Sequence, residues 1–210
     1  MTPNLTITRE KVRNHFHYFW WQYLLLIALA IFGWNLLYTT TRYRPPAEKK
    51  VEWFYEGPMA AQTQQKADQL LAELTPQLFP DMEKVSFTVV GLDENYGPMQ
   101  IMVWMAAGEG DLYMLAEDSF ESYAAGGSMI DLTPYVEDGT LNVEGIDLKK
   151  GYAKDEETGK KILAGIPADQ LTGLETYEIF PEGTYLSLLS NGGNTDNTLR
   201  LLAWLLENMK

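Results

Sequence analysis

No Asp, Glu, Lys or Arg occurs across residues 14–41 of this 210-residue chain, and that gap constrains the fold more than any other feature. Inside it, residues 18–38 read YFWWQYLLLIALAIFGWNLLY, with only Gln22 and Asn35 as clearly polar side chains. As an α-helix, at 1.5 Å per residue, this run spans roughly 31 Å, the thickness of a bilayer's hydrocarbon core. A helix also satisfies its own backbone hydrogen bonds where lipid offers none. Tyr18, Phe19, Trp20, Trp21 and Tyr23 crowd one end, and Trp34 and Tyr38 the other, as amphipathic rings do at the headgroup level. A buried core helix rarely carries aromatics at both ends. A cleaved signal peptide calls for a shorter apolar run and small residues at the cut, whereas Leu36, Leu37 and Tyr38 are bulky. A retained span is the expectation, with residues 1–17 as a short tail, 18–38 as the transmembrane helix, 39–50 as a linker and 51–210 as a folded domain.

Flanking charge does not settle orientation. Arg9, Lys11 and Arg13 precede the span; Arg42, Arg44, Lys49 and Lys50 follow it, which taken alone slightly favours the C-terminal domain inside the cell. From Pro45 onward there are 28 acidic residues against 11 basic ones, a balance of −17. Such a surface repels phosphate backbones, so nucleic acid is excluded as a partner of this part. The chain has no cysteine, which removes disulfides, thiolate metal sites and a lipidated cysteine anchor, and leaves the compartment open.

Beyond the Pro45-Pro46 spacer, strand and helix signals alternate. Val51 to Tyr55 reads as a short strand stopped by Gly57-Pro58. Ala67, Leu70, Leu71, Leu74 and Leu78 follow the i, i+3, i+4, i+7 spacing of a helix with one buried face. Residues 85–92 (VSFTVVGL) read as a strand covered on both faces, 97–107 as a helix, 111–115 as a strand, and 117–125 as a helix stopped by Gly126-Gly127. Residues 154–160 read as a hairpin loop, and 161–166 and 184–189 as further strands. Asn194 or Thr195 caps a leucine-rich helix over 196–208. This order predicts an α/β fold: a three-layer sandwich with a mostly parallel sheet of about five strands. Leu71, Val89 and Leu115 are expected in its core.

No catalytic signature stands out. Gly108-Glu109-Gly110-Asp111 precedes a strand, whereas a phosphate-binding loop follows one and opens a helix. His15 and His17, the chain's two histidines, are two apart and cannot share a helix face, which argues against a metal site and leaves no histidine base. Asp155, Glu156 and Glu157 lack the ligand spacing of a calcium loop. Asn191-Gly192-Gly193-Asn194 could cradle an anion, but glycines in so tight a turn usually serve the backbone. No cofactor is expected, and no metal.

Residues 102–135, MVWMAAGEGDLYMLAEDSFESYAAGGSMIDLTPYV, resemble a stretch of extracellular solute-binding proteins of ABC transporters: a helix ending in Ala-Ala-Gly, a Gly/Asp turn, a strand Asp-Leu-Tyr-Met, a helix with Tyr-Ala-x-x-Gly, and Leu-x-x-Tyr-Val. Gly165-Ile166-Pro167 is similar to the family's Gly-Ile-Pro strand, and residues 185–206 to its late strand and helix. Members usually have two lobes and nearly twice this length. The resemblance therefore implies a single periplasmic-binding-protein-like lobe anchored by a helix. It implies an outward-facing domain with a cytoplasmic N-terminus, a non-enzymatic binding or accessory role in uptake or sensing, and a permease or other envelope protein as partner; a homodimer is a further possibility. The competing reading is a structural or interaction module of the envelope with no small-molecule ligand. Open α/β sheets bind ligands beyond the carboxyl ends of their strands. Here those ends are Glu56 and Gly57, residues 93–96, Glu117 and Asp118, and Pro167 and Ala168. Asn95, Tyr96, Glu117 and Asp118 are the candidate ligand contacts.

Overall fold

The computed structural model describes residues 9–91, 96–154 and 159–210. It divides into two compact units, one ending at Arg44 and one running from Pro45 to Lys210. The first is a single helix, α1 (Arg9–Thr41), about 50 Å long at 1.5 Å per residue. Its apolar side chains are exposed around the whole circumference. The hydroxyls of Thr39, Thr40 and Thr41 donate to the carbonyls of Asn35, Leu36 and Leu37 at 2.9, 2.8 and 2.6 Å. Returning these hydroxyls to the preceding turn hides their polarity and lets the apolar run continue to the helix end.

The second unit opens with a 3-10 turn, Ala47–Lys49, and strand β1 (Lys50–Glu56). Helix α2 (Thr63–Leu78), strand β2 (Lys84–Val90), helix α3 (Gly97–Ala106), strand β3 (Leu112–Ala116) and helix α4 (Glu117–Ala125) follow. An excursion then carries the short helix α5 (Thr133–Glu137), a 3-10 turn (Leu148–Gly151) and the hairpin strands β4 (Tyr152–Lys154) and β5 (Lys161–Leu163). The chain returns through β6 (Ile166–Pro167), a 3-10 turn (Thr172–Tyr177), β7 (Thr184–Leu188) and helix α6 (Thr195–Asn208).

The central sheet has the order β2-β1-β3-β7-β6. β1 is parallel to β2 and β3, while β7 is antiparallel to β3 and β6, so four of the five strands share one direction. Side chains alternate across it, as a pleated strand requires. Val51, Trp53, Tyr55, Leu112, Met114, Leu186 and Leu188 join the leucines of α2 and α6 on one face. Phe54, Tyr113, Leu115 and Tyr185 meet Ile101 and Met105 of α3 and Phe120 and Ala124 of α4 on the other. This is the expected three-layer α/β sandwich with a mostly parallel sheet.

Three local expectations are corrected. Residues 85–92 are not covered on both faces: β2 is an edge strand in which only Phe87 and Val90 are buried, and Val89 is half-buried. Residues 161–166 are not one strand. The amides of Ala164 and Gly165 both donate to the carbonyl of Gly151, at 3.0 and 3.2 Å, which breaks the run into β5 of the hairpin and β6 of the main sheet. The break is also steric, because a Cβ on Gly165 would lie 2.6 Å from the Phe120 ring and from Ser187 Oγ. Asn194 does stand at the N-cap position of α6, but its side chain does not cap. It donates instead to the carbonyls of Glu48 and Lys50, at 3.3 and 3.0 Å, fastening α6 to the start of β1. The loop expected at 154–160 falls largely on residues 155–158, outside the described residues.

Leu71 and Leu115 are 2% and 1% exposed, so an aspartate at either leaves a buried, unpaired charge worth several kcal/mol against a total stability of roughly 5–15. Leu71→Asp and Leu115→Asp chains should show no cooperative melting. Val89→Asp, on the edge, should still melt cooperatively with a loss of about 1–2 kcal/mol. Circular-dichroism melts of the three variants check both statements.

Candidate functional site

The carboxyl ends of β1, β2, β3 and β6 lie along one edge of the sheet. Because β7 runs the other way, it brings its amino end, Thr184 and Tyr185, to the same edge, with Tyr185 in register with Leu115 and Pro167. β3 passes directly into α4 without a loop. Ala116, at the N-cap of α4, has no side-chain oxygen to offer the helix. Glu56 supplies it from the neighbouring strand. Its Oε2 accepts the Ala116 amide at 3.1 Å and its Oε1 accepts the Ser119 hydroxyl at 2.8 Å. A carboxylate at a helix amino end also meets the positive end of the helix dipole. Glu56 is nonetheless only 6% exposed, and burial pushes its carboxyl above the usual range, against the pull of these two hydrogen bonds and with the Asp118 charge adding to the rise.

Glu117, the first residue of α4, stands beside it. Its Oε1 accepts from Lys150 Nζ at 2.9 Å and from Tyr185 Oη at 3.2 Å. The Lys150 hydrogen bond, then that of Tyr185, hold the Glu117 carboxyl below its usual range. Tyr185 lies flat on Phe120, with centroids 4.3 Å apart and planes 6° from parallel; burial first, then Glu117, raises its phenol. Lys150 reaches this group from the excursion, whose 3-10 turn Leu148–Gly151 packs beside β6.

Of the residues singled out in the sequence, Glu117 and Asp118 form the first turn of α4, with Asp118 exposed. Tyr96 is 73% exposed at the N-cap position of α3, a helix tied to α4 by the Tyr123 hydroxyl donating to the Pro98 carbonyl at 2.8 Å. Asn95 lies outside the described residues. Sequence reasoning missed Lys150, Tyr185 and Ser119, and counted Glu56 only as a strand end. A list of carboxyl strand ends does not contain Tyr185, because the antiparallel β7 contributes its amino end to this edge.

At the opposite edge the buried carboxylates serve packing. Glu52 pairs with Lys50 at 2.7 Å and Lys84 at 2.5 Å; burial raises its pKa, but the two ammonium groups outweigh that and hold it low. Asp111 Oδ2 accepts the Glu52 amide at 2.9 Å, and burial pushes its carboxyl up. Among the described residues no group of three or more His, Cys, Asp or Glu side chains could hold a metal ion.

A carboxyl raised in the folded state binds its proton more tightly there than in the unfolded chain. Glu56 therefore contributes stability that is complete below its ordinary pKa of 4.5 and is lost as pH rises through the elevated folded value. Glu56→Gln keeps an acceptor for the Ala116 amide, can donate its NH2 to the Ser119 hydroxyl oxygen, and removes this titration. Urea melts from pH 4.5 upward should show a shallower fall of stability with pH in Glu56→Gln than in the parent chain.

No protein-family model matches the chain, and no curated protein matches it. Solved structures are similar in part. An extracellular solute-binding protein of family 1 from Alicyclobacillus acidocaldarius is 17% identical over 60% of this chain and 29% of its own, with a TM-score of 0.42. An ABC substrate-binding protein from Listeria monocytogenes in complex with cycloalternan is 22% identical over 49% of this chain and 25% of its own, with a TM-score of 0.37. An N-glycan transport solute-binding protein from Streptococcus pneumoniae is 18% identical over 57% of this chain and 24% of its own, with a TM-score of 0.40. The chain spans less than a third of the length of each, and at these values the similarity extends to no ligand and no activity.

Proposed function

We propose that the chain is a membrane-tethered, solute-binding-protein-like lobe, a non-enzymatic binding or accessory module for uptake or sensing. In this reading residues 18–38 cross the bilayer, residues 1–17 are cytoplasmic and residues 51–210 lie outside, beside a transporter permease or another envelope protein. One observation carries it: the carboxyl edge of the sheet gathers Glu117, Tyr185 and Lys150 into a hydrogen-bonded polar group beside exposed Asp118 and Tyr96. That edge is where open α/β sheets place ligands. Polar groups able to orient a solute are present there. The stretch of α1 from residue 14 to 41, free of Asp, Glu, Lys and Arg, supports the tether by length and composition.

A lone lobe touches a solute on one side, so the ligand's other polar groups stay hydrated. Its affinity should then lie in the high micromolar to millimolar range, around −4 to −6 kcal/mol. Calorimetry on the full chain in detergent, against solutes selected by a thermal-shift screen of sugars, amino acids and oligopeptides, checks this. Binding in that range that Asp118→Asn or Tyr185→Phe weakens supports the reading. Absence of any binding solute would favour an envelope interaction module instead.

Orientation has its own test. Protease added to intact spheroplasts should digest the domain from Pro45 onward, and protection behind a sealed membrane would reverse the proposed topology.

A further inference from the structure

Clearly polar side chains are few along the apolar run of α1, and the hydroxyls of Thr39, Thr40 and Thr41 already return to helix carbonyls. Gln22 and Asn35 remain. They lie six residues before and seven after Ala28, the midpoint of residues 18–38, or about 9 and 10 Å along the axis, inside a hydrocarbon half-thickness of about 15 Å. Their directions differ. Every Cα–Cβ bond in a helix tilts toward the amino end. Gln22 is in the amino half, so its long side chain leads toward the nearer headgroups. Asn35 is in the carboxyl half, so its short side chain leads deeper into the bilayer. Its amide carries two donors and an acceptor, and no group among the described residues bonds it; the Thr39 hydroxyl donates to the backbone carbonyl instead.

Asn35 also stands on a continuous seam. Leu24, Ala28, Ile31, Asn35 and Tyr38 follow one another by steps of four and three residues, which at about 100° per residue keeps all five within roughly 80° of the circumference. Asn35 lines a hollow in the helix surface with Ile31, Trp34 and Tyr38, beside Ala30. The spacing i, i+3, i+4, i+7 of those four is that of a hole which receives a knob from a facing helix. In a parallel pair the knob that enters this hole comes from the position matching Asn35 itself. Copies of one chain enter a bilayer in one orientation and at one depth, so a second copy brings its own Asn35 to the hole. Two asparagine amides, each donor and acceptor at once, satisfy one another. We propose that α1 pairs in parallel with α1 of a second copy along this seam, with Asn35 bonded to Asn35 across the interface. This pairing rests on the tether proposed above and stands independently of solute binding. Repulsion between two domains of charge −17 opposes it, but is screened beyond about 8 Å at physiological ionic strength and does not select a helix face.

The chain has no cysteine, so single cysteine substitutions report the face directly. Full-length chains carrying Ala28→Cys, Ile31→Cys, Leu26→Cys or Leu29→Cys are oxidised in the membranes of expressing cells, and the cross-linked dimer is read on gels. Ala28→Cys and Ile31→Cys, on the seam, should cross-link at least about fivefold faster than Leu26→Cys and Leu29→Cys, which lie at similar depth on the far side. In the Ile31→Cys chain, Asn35→Val, which keeps an apolar knob, should slow cross-linking at least about threefold, and Gln22→Leu should leave it within about twofold. Resistance to alkaline extraction is measured on the same membranes. A chain that is extracted overturns the tether and the pairing together. A chain that stays in the membrane overturns the pairing alone if it cross-links equally from all four positions, cross-links only to another protein, or keeps its rate in Asn35→Val.

Discussion

Strand β1 is buried along almost its whole length, yet two of its seven residues are glutamates that point to the same face as Phe54. A buried carboxylate costs several kcal/mol unless charge or hydrogen bonds offset it, so both ends of β1 are forced to find partners. Glu52 finds Lys84 on β2, besides Lys50 on its own strand. Glu56 finds the Ala116 amide at the end of β3 and the Ser119 hydroxyl in α4. β1 is thereby fixed to one neighbour at each end. A slip of one residue in either pairing would strand a carboxylate and turn Trp53 and Tyr55 away from the larger core. The register of the parallel half of the sheet therefore rests on two acids as much as on the apolar side chains between them.

The apolar spacing of α2, the β-rich runs at β1 and β3, and the glycine stop after α4 were legible because each is a local pattern. Strand direction was not. Periodicity has no arrow, so nothing in TYLSL tells that β7 enters antiparallel between β3 and β6. The division of β5 from β6 was hidden for a different reason. It depends on Gly165 passing under Phe120 and Ser187, which lie 45 residues earlier and 22 later in the chain. The same holds for the polar group at the carboxyl edge. Glu117 and Asp118 announce themselves as acids at a helix start, but the partners of Glu117 come from 33 and 68 residues away. Local chemistry was readable; convergence was not.

The acids of this domain are unequal in what they do. Glu52, Glu56 and Asp111 are sequestered in the sheet, where each accepts defined hydrogen bonds. Asp118 and much of the remaining acidic complement stay in water, where they set the long-range field and keep copies apart.

The position of β7 has a consequence for how the chain comes into being. Residues 184–188 fill an interior slot, so β3 offers an open strand edge, and two-residue β6 has no partner, until that segment is delivered. Synthesis from the amino end thus leaves three paired strands and a waiting edge from the completion of Ala116 until Thr184 is added. An open edge is a template for wrong pairing and a handle for chaperones. The sheet is therefore closed late, by a segment that enters between two strands laid down before it.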